Sequence, residues 1–159
     1  MNITEFAVSY KERNYPHDPK MMDRVIVTDV STSVLVWSEE QFLVEMYMMH
    51  PSTHVVKHSH PFENVALFIS GSIQGFREGG ALETPWMTDE QSGYVGQPLP
   101  IGKWHEFNVG PKGAVFYNIS RWENLEDKDS AIIKYIGEPL GPIHKKFLAS
   151  VVERYTQET

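Results

Sequence analysis

An all-β barrel or sandwich is the fold class that this sequence predicts, on three observations. Many short runs are rich in Val, Ile, Phe and Tyr; Gly, Pro, Asn or Ser separates them; and one late segment alone departs from that rhythm with helical spacing. Neither an internal repeat nor a low-complexity tract interrupts the 159 residues, so the chain is read as one domain.

The elements follow in order. Residues 1–20, MNITEFAVSYKERNYPHDPK, are polar and contain Pro16 and Pro19; they are expected to form an arm that packs on the body or reaches a partner. Residues 21–140 are expected to build the barrel. Its strands are RVIVTDV (24–30), SVLVW (33–37), QFLVEMYMMH (41–50), ENVALFIS (63–70), SIQGFRE (72–78), EFNVG (106–110), AVFYNIS (114–120) and AIIKYIG (131–137). SG at 70–71 and EGG at 78–80 have the composition of tight turns. The long segment 77–98 is either a lid over the barrel mouth or the site of another short strand pair. Residues 141–159 close the chain with Ile143, Phe147, Leu148, Val151, Val152 and Tyr155 at helical spacing, an amphipathic helix for the barrel wall or a subunit interface.

Composition excludes several functions. Hydrophobic residues make up 41% and aromatics 12%, which is globular composition. Fourteen basic against 21 acidic residues give a net charge of −7, and no long basic run is present, which argues against nucleic acid and anionic membranes as partners. The chain has no cysteine, so disulfides, thiolate metal sites and cysteine nucleophiles are excluded, and a metal must be held by nitrogen and oxygen. Together with an N-terminus lacking an apolar signal-peptide core and the absence of any apolar run of membrane-spanning length, this makes a cytoplasmic location the expectation.

Two stretches carry chemistry. HSHPFEN (58–64) places His58 and His60 on alternate residues, and on a strand residues i and i+2 share a face, so the rings would converge as a metal or an acid–base pair requires. PLPIGKWHEFN (98–108) places Pro100 and Gly102 just before His105, the composition of a turn that aims a third imidazole from a neighbouring strand.

In these stretches the chain resembles the cupin superfamily. The family's first motif runs Gly, five residues, His-x-His, three or four residues, Glu, six residues, Gly; here His58 and His60 are followed by Asn64 and then Gly71 at those intervals. The second motif runs Gly, five residues, Pro-x-Gly, two residues, His, three residues, Asn; here Pro100, Gly102 and His105 match, and Asn108 comes one place early. Ser52 stands where the leading Gly of the first motif belongs, and Asn64 where the metal-binding Glu belongs. The resemblance implies a cupin-type jelly-roll barrel in which His58, His60 and His105 bind a divalent transition metal, Fe2+ by preference, with Zn2+, Ni2+ or Mn2+ as alternatives. The fourth ligand is the Asn64 carbonyl oxygen, a water, or Glu63 if a bulge re-aims it, since on a regular strand Glu63 faces away from Asn64. Three imidazoles and an amide are all neutral, so such a site would keep the ion's double positive charge and favour an anionic or chelating substrate.

Further candidates are weaker. Tyr47 shares a strand face with Glu45 and Met49, opposite Met46, Met48 and His50, and its hydroxyl is a candidate acid or hydrogen-bond donor. His54 precedes His58 by four residues and on a regular strand shares its face; it is a candidate general base or partner of a ligand, or else a polar residue of the barrel mouth. Phe68, Phe76, Trp86 and Trp104 are candidate pocket walls, and Arg77 or Lys103 could hold a substrate carboxylate or phosphate. Two functions of different classes stand open. One is a metal-dependent enzyme acting on a small oxygen-rich molecule, with a dioxygenase-type oxidoreductase preferred over an isomerase, lyase or hydrolase. The other is a non-catalytic metabolite-binding module. A homodimer is expected by the same resemblance, with the arm and the C-terminal helix as contact elements.

Overall fold

The structure is a computed structural model that describes residues 1–22, 25–78, 80–81 and 92–133. The chain opens with helix α1 (Ile3–Glu12). The Asn2 side chain accepts from Glu5 N (2.8 Å) while the Glu5 carboxylate reaches back to Asn2 N, a reciprocal cap that satisfies two donors of the first turn. Ile3, Phe6, Ala7 and Tyr10 fall on one stripe and are all buried. Asn14 and Tyr15 then take positive φ (62° and 52°) and turn the chain back, so that the Tyr10 hydroxyl donates to Pro16 O at 2.7 Å. The segment expected as an arm is thus a docked helix followed by a turn. The four residues of its buried stripe are diluted by polar neighbours, and only their spacing reveals the face.

Eight strands follow among the described residues: β1 (Val25–Val27), β2 (Ser31–Glu39), β3 (Phe42–Met49), β4 (His54–His58), β5 (Glu63–Arg77), β6 (Gly80–Ala81), β7 (Tyr94–Val95) and β8 (His105–Arg121). All pair antiparallel, in the order β1-β2-β3-β8-β5-β6, with β4 on β8 and β7 on β5. This mostly antiparallel sheet is the all-β architecture expected. Two pairs of expected strands are single strands: 63–70 with 72–78 form β5, and 106–110 with 114–120 form β8. Gly71 therefore sits within a strand rather than in a tight turn. A Cβ there would lie 2.1 Å from Gly113 O, so the two strands approach closer than any side chain permits. The lid segment yields two short strands, β6 and β7, both paired with β5; residues 82–91 lie outside the described residues.

Alternation on β3, β5 and β8 builds two apolar layers. Val44, Met46, Val65, Leu67, Val115, Tyr117 and Ile119 point to one side, where they pack with Ile3, Phe6, Ala7 and Tyr10 of α1. Phe6 stacks on Phe42 (4.1 Å, 9°), and Tyr10 and Tyr15 both contact the Tyr117 ring. Met49, Phe68, Phe116 and their neighbours form a second cluster on the other side.

Helix α2 (Leu125–Ile133) follows β8, its first turn capped by Asn124 Oδ1, which accepts from Glu126 N (2.8 Å) and Asp127 N (3.2 Å). Residues 131–133, expected in a strand, continue this helix, and Ala131 and Ile132 pack on Leu35, Leu43 and Trp122. Residues 134–137, and the helix expected within 141–159, lie outside the described residues. No helix among the described residues is long and apolar enough to cross a membrane.

Two outcomes test this account. Phe6→Ala should cost about 3–5 kcal/mol in denaturant unfolding, because it empties a stacked core position; a change under about 1 kcal/mol would show that α1 is not part of the core. His17, whose Nε2 lies 2.9 Å from the Tyr117 hydroxyl, has its pKa lowered to about 4 by burial. A lowered histidine contributes stability above the unfolded value, and that stability is lost as pH falls toward 4, while the unfolded chain takes up a proton that the folded chain refuses. Denaturant titrations from pH 7 to pH 4 should show this loss, about 2 kcal/mol of it absent in His17→Gln.

Candidate metal centre

The second side of the β3–β8–β5 sheet is not filled. It lines a cavity of about 310 Å³. β3 contributes Glu45, Tyr47 and Met49; β5 contributes Asn64, Ala66, Phe68 and Ile73; β8 contributes His105, Phe107, Phe116 and Asn118. Glu45–Tyr47–Met49, Asn64–Ala66–Phe68, His105–Phe107 and Phe116–Asn118 each step by two, as one sheet face requires, and register shifts between Phe68 and Ile73 change the parity of β5. Val55, His58, His60, Phe62, Gln97 and Leu99 complete much of the wall.

A bulge decides which side chains of β4 reach this cavity. β4 pairs His54 with Asn108 and Val55 with Phe107, but the next matched pair is His58 with His105. Three steps on β4 therefore span two on β8, so one extra residue is absorbed and the parity of the strand flips. Val55 and His58, which would face opposite ways on a regular strand, both line the cavity. His54, expected to share the face of His58, instead stays at the surface. Its Nδ1 lies 2.7 Å from Asn108 Oδ1, and its Nε2 lies 3.4 Å from a Glu106 carboxylate oxygen. The bulge is the physical reason that the base role expected of His54 finds no support: the side chain is not among those around the cavity.

His60 lies two residues beyond the end of β4, so the His58–His60 pair is not held by strand geometry alone. Gly102, at φ +75° in the turn after Pro100, donates its N–H to His60 O at 2.9 Å. The same Pro-x-Gly turn thus leads into β8 at His105 and anchors the backbone of His60. Stacking of His60 on Phe62 (4.7 Å, 10°) fixes its ring. The three ring centroids are 4.2, 4.8 and 4.9 Å apart, and the candidate ligand nitrogens all lie within 4.8 Å of one another. Three nitrogens on one tetrahedral ion would stand about 3.3 Å apart, so a small inward rotation of the rings suffices.

Protonation favours metal binding. His105 is 4% exposed, and burial first, then the neighbouring His58, lowers its pKa to about 4, while the Lys103 carbonyl opposes the shift. The ring is neutral at neutral pH. His58 Nδ1 lies 2.7 Å from Val56 O and His105 Nδ1 lies 3.5 Å from Lys103 O. A carbonyl only accepts, so in each ring Nδ1 donates and Nε2 is the nitrogen left for a metal, as in metal sites whose imidazoles are oriented by backbone.

Asn64 lines the same cavity and is buried. Its Nδ2 donates to Asn118 Oδ1 at 3.0 Å, whereas its Oδ1 has no hydrogen-bond partner among the described residues. An orphaned buried carbonyl of this kind costs about 1–3 kcal/mol unless something binds it. Glu63 does not line the cavity: register is regular from Glu63↔Arg121 to Asn64↔Ser120, so no bulge re-aims it. The residues present therefore fit a divalent metal held by imidazole nitrogen with an amide oxygen nearby.

Other expectations divide. Tyr47 and Phe68 line the cavity. Phe76 is exposed, Trp104 lies beneath the Lys57 ammonium (3.9 Å) away from the cavity, and Trp86 is outside the described residues. Lys103 pairs with Glu78 at 2.8 Å, and neither it nor Arg77 is among the residues lining the cavity. Sequence reasoning passed over Glu45, which is 4% exposed, lines the cavity and accepts from the Tyr47 hydroxyl at 3.4 Å. Its signal was present: a carboxylate on the Tyr47 face of an otherwise apolar strand.

Neither a protein-family model nor a curated protein sequence matches the chain. Solved structures do. KdgF from Halomonas sp. superposes with a TM-score of 0.53 at 13% identity, over 71% of this chain and 98% of that one. An RmlC-like cupin from Shewanella frigidimarina gives 0.55 at 10% identity, over 71% and 95%. The cupin domain of Cnp3 from Schizosaccharomyces pombe gives 0.52 at 14% identity, over 72% and 76%. At such identities the likeness establishes the fold, which is the cupin jelly roll.

Metal binding separates the imidazoles experimentally. His105→Ala should weaken Zn2+ or Fe2+ affinity by more than about 100-fold in competition with a chelator, whereas His54→Ala should leave stoichiometry and affinity unchanged. Equal losses in both variants would contradict the β4 bulge.

Proposed function

We propose that this cupin-fold chain is a divalent-metal-dependent enzyme acting on a small oxygen-bearing molecule, and that it is an oxidoreductase of the dioxygenase type. One observation carries the reading: three imidazoles offer nitrogens within 4.8 Å of one another at the wall of a largely apolar cavity. His58, His60 and His105 would hold the ion, with Asn64 Oδ1 as the fourth donor. When bound, the ion supplies Lewis acidity and, as Fe2+, one-electron chemistry with dioxygen.

The chain's own residues do the remaining work. All four donors are neutral, so nothing in the ligand set offsets the charge of the ion, and a substrate offering one or two anionic oxygens is the complementary partner. Phe62, Phe68, Phe107 and Phe116 give the cavity an aromatic wall that receives an apolar skeleton and excludes water. The Glu45 carboxylate, with the Tyr47 hydroxyl at 3.4 Å, is placed to take and hold a proton from bound substrate.

That same pair favours a second reading, a metal-dependent isomerase or lyase in which Glu45 moves a proton next to a polarised carbonyl. Metal analysis of protein purified without chelator, followed by oxygen-electrode assays with Fe2+ against hydroxy-acids, diketones and thiols, decides between them. Stoichiometric iron and oxygen consumption that disappears in His58→Ala is the expected result. Turnover with zinc, nickel or manganese and no oxygen uptake selects the isomerase or lyase, and a protein without metal, indifferent to His58→Ala, sinks both.

A further inference from the structure

The stack behind His60 does not end at Phe62. The Phe62 ring lies in turn against Trp122, with 4.5 Å between centroids and 37° between planes. Trp122 is 8% exposed and is held at two points. Its backbone N–H donates to Gln41 O at 2.8 Å, and its indole Nε1 donates to Oγ of the buried Ser120, also at 2.8 Å. With Leu35 and Leu43 it forms a buried cluster, on which Phe62 packs and on which Ala131 and Ile132 of α2 also pack. His60, Phe62 and Trp122 thus make a row of rings from the metal centre to the cluster that seats α2.

Such a row can set the angle of an imidazole. The second side-chain torsion of histidine is broad, so rotamer preference alone does not aim the ring. Pro61, between His60 and Phe62, fixes one backbone torsion and favours extended backbone at His60, which narrows how the two rings can lie. Phe62 covers a face of the His60 ring, whereas a metal takes an in-plane nitrogen lone pair, so stacking and ligation do not compete. Phe62 is itself only half-buried. Trp122, buried and hydrogen-bonded through backbone and indole, is the fixed wall against which Phe62 rests. It is not among the residues lining the cavity.

We infer that Trp122 is a positioning residue for the metal centre, setting the ring angle of His60 through Phe62. The role of the metal rests on the reading proposed above; the placement of the His60 ring rests on the stack alone.

Cobalt(II) tests it, because its visible spectrum reports the ligand set and chelator competition gives its affinity. Trp122→Leu should weaken cobalt(II) binding by about 10–100-fold, the cost of losing a group that orients a ligand, and should shift the visible bands. Trp122→Phe, which keeps an aromatic face, should bind more tightly than Trp122→Leu. Phe6→Ala, which weakens the core on the opposite side of the sheet, should leave affinity and spectrum unchanged. Wild-type affinity in Trp122→Leu overturns the inference, and so does an equal loss in Phe6→Ala, which would assign the effect to general destabilisation. Phe62→Leu, at a half-buried position, should reproduce the loss; unchanged affinity there overturns the inference even where Trp122→Leu fails to fold. Proton NMR of the metal-free protein separates the inference from the metal reading. The His60 ring protons, assigned with His60→Gln, lie in the ring current of Phe62, and Trp122→Leu should move them more than those of His58 and His105. That movement in a protein that binds no metal supports the positioning role and sinks only the metal reading, whereas unmoved His60 signals overturn the inference even where metal binds tightly.

Discussion

Strand alternation in β3, β5 and β8 gives one sheet two inward obligations, and α1 takes up one of them. Val44, Met46, Leu67, Tyr117 and Ile119 bury their side chains against Ile3, Phe6 and Tyr10, so a dense core lies between helix and sheet. The opposite face of the same strands is then free to stay partly hollow. A cavity forfeits dispersion contacts on every wall it leaves unfilled, and a domain of this size tolerates that loss where packing elsewhere is complete. The aromatic stacking of Phe6 on Phe42 and of Tyr15 on Tyr117 supplies such packing directly behind the strands that carry the cavity.

The candidate metal centre depends on departures from regular strand geometry. A uniform β4 would set His58 facing outward beside His54. The extra residue absorbed between Val55 and His58 brings His58 across from His105, and the Pro100–Gly102 turn holds His60 beside them through the backbone. Ordinary sheet pairing thus positions one imidazole, a bulge the second and a turn the third. Each ring is fixed by groups that are not its ligands: carbonyls at His58 and His105, and the Phe62 ring at His60. Such support orients a donor set before any ion arrives.

Electrostatics divides the cavity into two parts. His58 and His105 turn Nδ1 to backbone carbonyls, which leaves Nε2 of each toward a cation that brings its own charge. Glu45 contributes a negative group elsewhere on the wall, and Tyr47 gives it a hydrogen-bond donor. Arg77 and Lys103, which lie close in sequence to this region, are spent outside the cavity, Lys103 on Glu78.

The sequence by itself determined the fold class, most strand positions, the three imidazoles and the faces of β3, because these follow from local composition, period-two alternation and short motifs. Glu45 was legible on the Tyr47 face, and the α1 stripe was legible as Ile3, Phe6, Ala7 and Tyr10, though polar neighbours outweighed the latter. Tertiary structure alone decided that β5 and β8 run unbroken past Gly71 and Gly113, that His54 faces away, and that Glu63 stays out while Asn64 turns in. These outcomes depend on which strand lies alongside and in what register. Pairing between residues some fifty positions apart, such as His54 with Asn108, leaves no mark in a single stretch of chain, and a one-residue bulge reverses every facing downstream of it.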